Sequence, residues 1–250
     1  MIVRDIMTTK LVTVEPSDTL GHAVNLLRQY QFHHLPVVQT VNVAGLQTTA
    51  YTSRHTELVY EGLLTSQDID LAVALDAQES SSGAAQQPWQ ERRVADAMHH
   101  DAILVTPTTS IGAAAQLLVE RGQNCLPVVE YSQSEQETKT LLVGLLTRSD
   151  FLLALARAMG VFEPGVDLIV TLPPGRMAPL AETLKLAAEL HVLVRSVIAA
   201  PLVDGVPHVA TLRLGTINPA PLLVRLQAAG IEYVFVNPLM EGETNDSYNR

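Results

Sequence analysis

The apolar positions of this chain switch between two periods. Short aliphatic and β-branched runs, at Val12 to Val14, Leu35 to Val38 and Glu61 to Leu64, predict strands. Between the first two, Leu20, Ala23, Val24, Leu26 and Leu27 recur at three- and four-residue spacing. That spacing lays them along one face of a helix. A second helix is predicted over Asp68 to Leu75. The same succession then returns as strand Leu104 to Thr106, helix Ile111 to Glu120, strands Leu126 to Val129 and Leu141 to Leu146, and helix Asp150 to Met159. Each unit reads β-α-β-β-α.

The residues repeat as well as the elements. Asp5-Ile6-Met7 returns as Asp96-Ala97-Met98, Pro16 as Pro107, and Leu35-Pro36-Val37-Val38 as Leu126-Pro127-Val128-Val129. These pairs lie 91 residues apart. Gly62-Leu63-Leu64-Thr65 returns as Gly144-Leu145-Leu146-Thr147, and Asp68 as Asp150, at an offset of 82. One nine-residue difference between the copies accounts for both offsets. The ordered recurrence makes this an internal duplication.

Residues 1–76 are the first copy and 94–160 the second. Residues 77–93, with Ser80-Ser81-Ser82-Gly83 and Gln86-Gln87-Pro88, have the composition of a linker. Trp89, the one tryptophan, is expected to pin it to a surface. Val41 to Tyr60 is polar and threonine-rich, and reads as an extended hairpin or a mobile loop.

Residues 166–238 follow a different plan. The pattern predicts a strand from Asp167 to Leu172, a Pro173-Pro174-Gly175 turn, and a helix marked by Leu180, Leu184, Ala187, Ala188 and Leu190. A strand from Val192 to Leu202 comes next, then a tight turn at Asp204-Gly205 and a strand from Val209 to Leu214. A second helix is expected to begin with Asn218 as its cap and Pro219 in its first position, and to end at Gly230. Ile231 to Val236 is the last strand. The order β-α-β-β-α-β is the ferredoxin-like arrangement. Residues 239–250 read as a flexible tail.

Composition narrows the function. Hydrophobic residues make up 47% of the 250, enough for packed cores. The net charge of −10 and the lack of a basic run disfavour nucleic-acid phosphate as a partner. Cys125 is the single cysteine, so an intrachain disulfide and a multi-cysteine zinc site are excluded. No run approaches the roughly 20 apolar residues of a membrane span. The first residues do not pair a basic region with an apolar core, so a soluble cytoplasmic protein is expected.

The chemistry concentrates in Gly62 to Asp68 and Gly144 to Asp150. Each is an apolar strand running into a helix N-terminus, which exposes unpaired N–H groups and a positive dipole end. There Thr65 or Thr147 could reach a phosphate oxygen. Asp68 or Asp150 could accept hydrogen bonds from the two hydroxyls of a ribose. Thr-x-x-Asp ahead of an apolar run is also a capping box, and the two roles are compatible. Adjacent histidines on a strand point to opposite sides, so His33-His34 and His99-His100 are read as polar lining, with no metal site. Cys125 is read as a buried small side chain. No catalytic motif is present, and no enzymatic activity is expected.

The duplicated landmarks Asp5-Ile6-Met7, Leu35 to Val38 and Gly62 to Asp68 resemble a pair of CBS (cystathionine-β-synthase) domains, a Bateman module, over about Met1 to Met159. The tail, with Pro174-Gly175 in its first β-α loop, resembles an ACT domain. A CBS pair followed by an ACT domain is similar to the architecture of the acetoin-utilisation CBS protein family. The resemblance implies an α/β (α+β) fold with tandem, pseudo-twofold CBS domains and a ferredoxin-like ACT domain.

It also implies a regulatory sensor that binds AMP, ADP, ATP or a related adenosyl ligand in two clefts between the repeats. In one cleft Asp150 would hold the ribose and Thr147 or Arg148 the phosphates, with Thr8, Val12 and His34 lining it. In the other, Asp68 and Thr65 would be joined by His99, Ile103 and Cys125. Arg148 stands opposite Ser66 in the repeat, and Lys10 opposite Asp101. The Arg148 cleft is therefore expected to prefer the more highly phosphorylated ligand. Gly175 serves the turn or also approaches an amino-acid ligand. A homodimer or larger assembly and a regulated partner enzyme are further expectations. The alternatives are a metabolite sensor acting through the ACT domain and a scaffold with no ligand.

Overall fold

The structure, a computed structural model, describes residues 1–43, 55–80, 88–133, 138–200 and 205–236. The chain divides into two compact units, Met1–Phe151 and Leu152–Arg250.

In the first unit, α1 (Leu20–Tyr30) leads to β1 (His34–Val43), β2 (His55–Thr65) and α2 (Ser66–Ser80). The second copy supplies α3 (Ile111–Glu120), β3 (Cys125–Gln133), β4 (Thr138–Thr147) and the first turn of α4 (Arg148–Ala158), whose remainder belongs to the second unit. The strands form one sheet in the order β1-β2-β4-β3. The two hairpins meet where Val59 pairs with Leu141, residues that are each other's counterparts at the offset of 82. A pseudo-twofold axis therefore runs between them. Other details obey it: bulges at Val37/Val38 and Val128/Val129, and bridges Val14 to Val37 and Val105 to Val128.

The predicted first strands, Val12 to Val14 and Leu104 to Thr106, shrink to these single bridges. The proline that closes each run has no N–H to continue a ladder. The second halves of the hairpins are longer than predicted, because residues 55–60 and 138–140 pair along the hairpin arms. Residues 41–43 continue β1 as an extended hairpin, whereas 44–54 lie outside the described residues, as do 81–87 of the linker. α2 and α4 start two residues before the predicted Asp68 and Asp150, because the cap is the threonine three residues ahead of each aspartate.

The cores cross the sequence boundaries of the copies. Val3, from the N-terminal segment, is fully buried with Val105, Leu118, Leu126 and Leu146 of the second copy. Its N–H donates to Thr109 O at 2.9 Å. Reciprocally, Val94 is buried with Leu20, Leu35 and Leu64 of the first copy, and its N–H donates to Asp18 O at 2.8 Å. Trp89, on a short 3-10 turn, packs half-buried against the same cluster, in the pinning role expected of it. Each copy thus lends its leading segment to the other.

The second unit holds β5 (Val166–Thr171), α5 (Ala178–Glu189), β6 (Val194–Ile198), β7 (Val209–Leu214), α6 (Ala220–Ala228) and β8 (Tyr233–Val236). Its antiparallel sheet runs β6-β7-β5-β8, the strand order of a ferredoxin-like fold. Alternate residues Leu168, Val170, Leu212 and Leu214 face Leu186, Ala187, Leu222 and Leu226 of the helices.

β6 is shorter than predicted, being bulged at Val194/Ser196; residues 201–204 and 237–250 lie outside the described residues. α6 begins one residue later than expected. Pro219 O accepts the first helical bonds, from the N–H groups of Leu222 and Leu223, so Pro219 occupies the cap position. Asn218 still serves the turn, its Oδ1 accepting from Ala220 N–H at 3.1 Å.

Candidate functional site

A cavity of about 1060 Å³ lies between the two copies in the first unit. Its size exceeds the several hundred cubic ångströms of a typical small-ligand pocket. Of the residues singled out from the sequence, Thr8, Val12, His34, Thr65, His99, Cys125, Thr147 and Arg148 line it. One continuous space therefore joins the two clefts expected. The strand register seats His34 beside Thr65 and Cys125 beside Thr147 at its walls.

Asp68 and Asp150 stand behind the lining, each locked into a cap. Asp68 Oδ2 accepts from the Thr65 N–H and hydroxyl, both at 2.7 Å, and Thr65 Oγ1 accepts from the Asp68 N–H at 3.3 Å. Asp150 repeats this with Thr147, at 2.7, 2.7 and 3.2 Å. The capping-box reading of both Thr-x-x-Asp segments is thus realised. The second carboxylate oxygen of each aspartate turns to the opposite copy. Asp150 Oδ1 accepts from the Thr8 hydroxyl at 3.0 Å, and Asp68 Oδ1 lies 2.5 Å from His99 Nε2.

Thr8 and His99 are counterparts at the offset of 91. Both are fixed by paired backbone bonds, Thr8 with Leu145 and His99 with Leu63. Gly62 and Gly144 permit this approach. A Cβ on Gly62 would lie 2.6 Å from His99 O, and one on Gly144 would lie 2.6 Å from Met7 Sδ.

The halves differ in charge. Lys10 and Arg148 line one part of the cavity, and Asp101 stands at the counterpart of Lys10. Arg148 is partly committed: its Nε donates to Gln123 O at 2.9 Å and an Nη to Leu118 O at 3.4 Å. These are carbonyls at and just beyond the end of α3, so the side chain is braced with its remaining donors exposed. Burial holds the His34 imidazole below its ordinary value of 6.5. His33 adds to that effect, and Asp68 opposes it. Burial pushes the Cys125 thiol up to about 12.

Ile103 corrects an expectation. It does not line the cavity but packs against the core around Val105 and Leu126. Its neighbour Ala102 takes the lining position. Gly175 belongs to the second unit. Its φ of +71° and the bond from Arg176 N–H to Pro173 O at 2.9 Å make it the positive-φ residue of a tight turn. A Cβ there would meet nothing within 4 Å, so the positive φ of the turn, and no neighbouring protein atom, calls for glycine.

Sequence reasoning missed the ends of α1 and α3. Gln31 and Gly122, counterparts in the two copies, both take left-handed backbone, at φ 56° and 63°. These turns bring Tyr30, Phe32, Gln123 and Asn124 to the cavity. Tyr30 and Phe32 stack with ring centroids 5.5 Å apart, each more than 40% exposed. A glycine just past a helical pattern was the available signal, in the second copy only.

Residues 3–46 and 94–157 match the sequence model of the CBS domain. The chain contains a pair of CBS domains. A relative in Bacillus subtilis, the CBS domain-containing protein YhcV, is 26% identical over 148 residues, 59% of this chain and 81% of YhcV. Among solved structures, AcuB from Vibrio cholerae is 26% identical at a TM-score of 0.44, covering 66% of this chain and 98% of AcuB. CBSX2, solved in complex with AMP, is 25% identical at a TM-score of 0.43, covering 62% and 96%. The match to the first CBS domain stops at residue 46, so the placement of Thr65 and Asp68 rests on the internal repeat and on the cap geometry.

Among the described residues no cluster of three or more His, Cys, Asp or Glu is arranged to hold a metal, and no helix is long and apolar enough to cross a membrane.

Proposed function

We propose that this protein is a regulatory sensor that binds adenine nucleotides in the cavity between its CBS domains. The observation that carries this reading is the pair of Thr-x-x-Asp caps, each directly behind the wall of one shared cavity. Each aspartate has an oxygen bonded only across the pseudo-twofold axis. Those two oxygens are the acceptors that ribose hydroxyls would take over. Thr65 and Thr147, at helix N-termini, are suited to phosphate. Thr8 and Val12 serve the Asp150 half with Thr147 and Arg148, and His99 serves the Asp68 half with Thr65. Cys125, beside Thr147, belongs with the Asp150 half, and His34, beside Thr65, with the Asp68 half.

Ligand binding between the domains would change their relative energy and be read by a partner or by assembly of the chain, as a homodimer or larger. The second unit, with its ferredoxin-like strand order, is read as an ACT-like domain that transmits this signal.

Titrating AMP, ADP and ATP by calorimetry tests the reading. Saturable binding of at least one nucleotide is expected. Arg148→Ala should weaken ATP binding several-fold more than AMP binding, because Lys10 and Arg148 supply the charge for additional phosphates. Equal loss for AMP and ATP would contradict the assignment of Arg148, and no saturable binding by folded protein would contradict the function.

A further inference from the structure

We infer that the stacked rings of Tyr30 and Phe32 hold a second planar group of the ligand. The Asp68 half of the cavity then takes a dinucleotide, an adenosine joined through its 5′-phosphates to a second nucleoside. This rests on the proposed nucleotide-binding function and deepens it by naming the ligand class of one half.

The two rings are turned onto the cavity wall rather than packed into a core. Tyr30 is the last residue of α1, and in a continued helix Phe32 would point about 200° around the axis from it. Gln31, at φ 56°, breaks that course, and the rings meet with centroids 5.5 Å apart and planes 19° from parallel. A non-glycine residue seldom takes this backbone. Nearly parallel rings at that separation are offset, so each keeps an open face. Tyr30 is 44% and Phe32 43% exposed, and both line the cavity. Aromatic residues are only 4% of the chain, so composition does not account for two of them side by side here.

The backbone places the rings relative to the cap. The carbonyl of His33, next to Phe32, accepts from the Ser66 N–H at 3.0 Å, and Ser66 is the first residue of α2. The platform therefore adjoins the helix start, where Thr65 would meet phosphate. The ribose acceptor, Asp68 Oδ1, faces His99 of the other copy instead. A mononucleotide seated on Asp68 and Thr65 leaves the rings uncovered, and a second base beyond the phosphates covers them. The cavity, at about 1060 Å³, exceeds the sites of most drug-sized ligands and leaves room for it.

The counterpart turn differs in kind. There the Asn124 carbonyl accepts from the Arg148 N–H at 3.3 Å, repeating the bond from Ser66 to His33. Arg121 and Gln123 stand where the first copy has Tyr30 and Phe32, and Arg148 stands where it has Ser66. That turn offers charge, which suits free terminal phosphates. The turn of the first copy offers ring faces and a neutral serine, which suit a phosphate already esterified to a further nucleoside. Every base has a π face, so the platform selects for the presence of a second base rather than for its identity.

The test is calorimetric titration of the full chain with AMP, ADP-ribose and the diadenosine di-, tri- and tetraphosphates. ADP-ribose carries two phosphates and a second ribose, and differs from diadenosine diphosphate by the second adenine. At least one diadenosine compound should bind the parent at least fivefold tighter than ADP-ribose, the lower end of what one stacked base contributes. That gain should vanish when Tyr30→Leu and Phe32→Leu are combined, while AMP affinity stays within about twofold of the parent. Phe32→Trp keeps a ring and should keep the gain. Tyr131→Leu, which removes an exposed ring outside the cavity wall, should behave as the parent. Diadenosine compounds no tighter than ADP-ribose, a gain that survives the double leucine variant, or an equal loss of AMP affinity in that variant overturns the inference and leaves the nucleotide site standing. Absence of binding by AMP, ADP-ribose and all three diadenosine compounds overturns the nucleotide reading and the inference with it.

Discussion

Cys125 shows how a residue type is decided by its surroundings. It occupies the wall of a ligand-sized cavity at the counterpart position of His34, yet it is 3% exposed and its thiol is pushed up to about 12. Desolvation disfavours the thiolate, which is the reactive form. Native protein should therefore resist iodoacetamide at pH 8 for hours, whereas protein in denaturant should be alkylated at Cys125 within minutes, as read by mass spectrometry. Rapid modification of the native chain would show that the thiol is exposed and activated. Tyr60 is a related case. Its hydroxyl is buried without a hydrogen-bond partner among the described residues, and burial, helped by nearby Cys125 and Asp101, holds the phenol neutral.

At the scale of elements, the two copies make the same contact with different tolerances. Gly62 lies against the backbone carbonyl of His99, and Gly144 against the thioether of Met7. A flexible methionine side chain can turn away, but a carbonyl held in a paired bridge cannot. Gly62→Ala should therefore lose about 2 kcal/mol of stability, in the range of overpacked core sites, and Gly144→Ala less than half of that. Urea unfolding of the two variants checks it, and equal losses would contradict the account.

Local periodicity made most elements legible: α3 begins and ends at Ile111 and Glu120, as its pattern predicts, and β7 at Val209 and Leu214. The Thr-x-x-Asp caps were legible too, because a cap involves residues three apart. What the sequence did not disclose is non-local. Nothing in Met1 to Thr8 says that Val3 will be buried against Val105, or that Thr8 will bond Asp150 rather than face solvent. Arg148 was read as a phosphate ligand from its position in the repeat. Its brace onto the end of α3 depends on how two segments 25 residues apart converge. Ile103 went astray because one step along an extended segment reverses the direction of a side chain.

The whole molecule combines a duplicated unit with a ferredoxin-like one, each around its own apolar cluster. In the duplicated unit, exchange of the leading segments ties each copy to the other. Any ligand that moves one aspartate cap must also disturb a bond to the opposite copy, through Thr8 or His99. This is the physical link from occupancy to a change in the relation between the copies. The central claim is that the two caps hold a nucleotide, and substituting both aspartates by asparagine tests it most directly. Asparagine retains an acceptor for the cap but carries no charge to hold a ribose diol. AMP should bind the parent saturably, and Asp68→Asn with Asp150→Asn should weaken that binding at least tenfold while the circular dichroism spectrum stays that of the parent. Equal AMP affinity in the parent and the folded double variant would contradict the account.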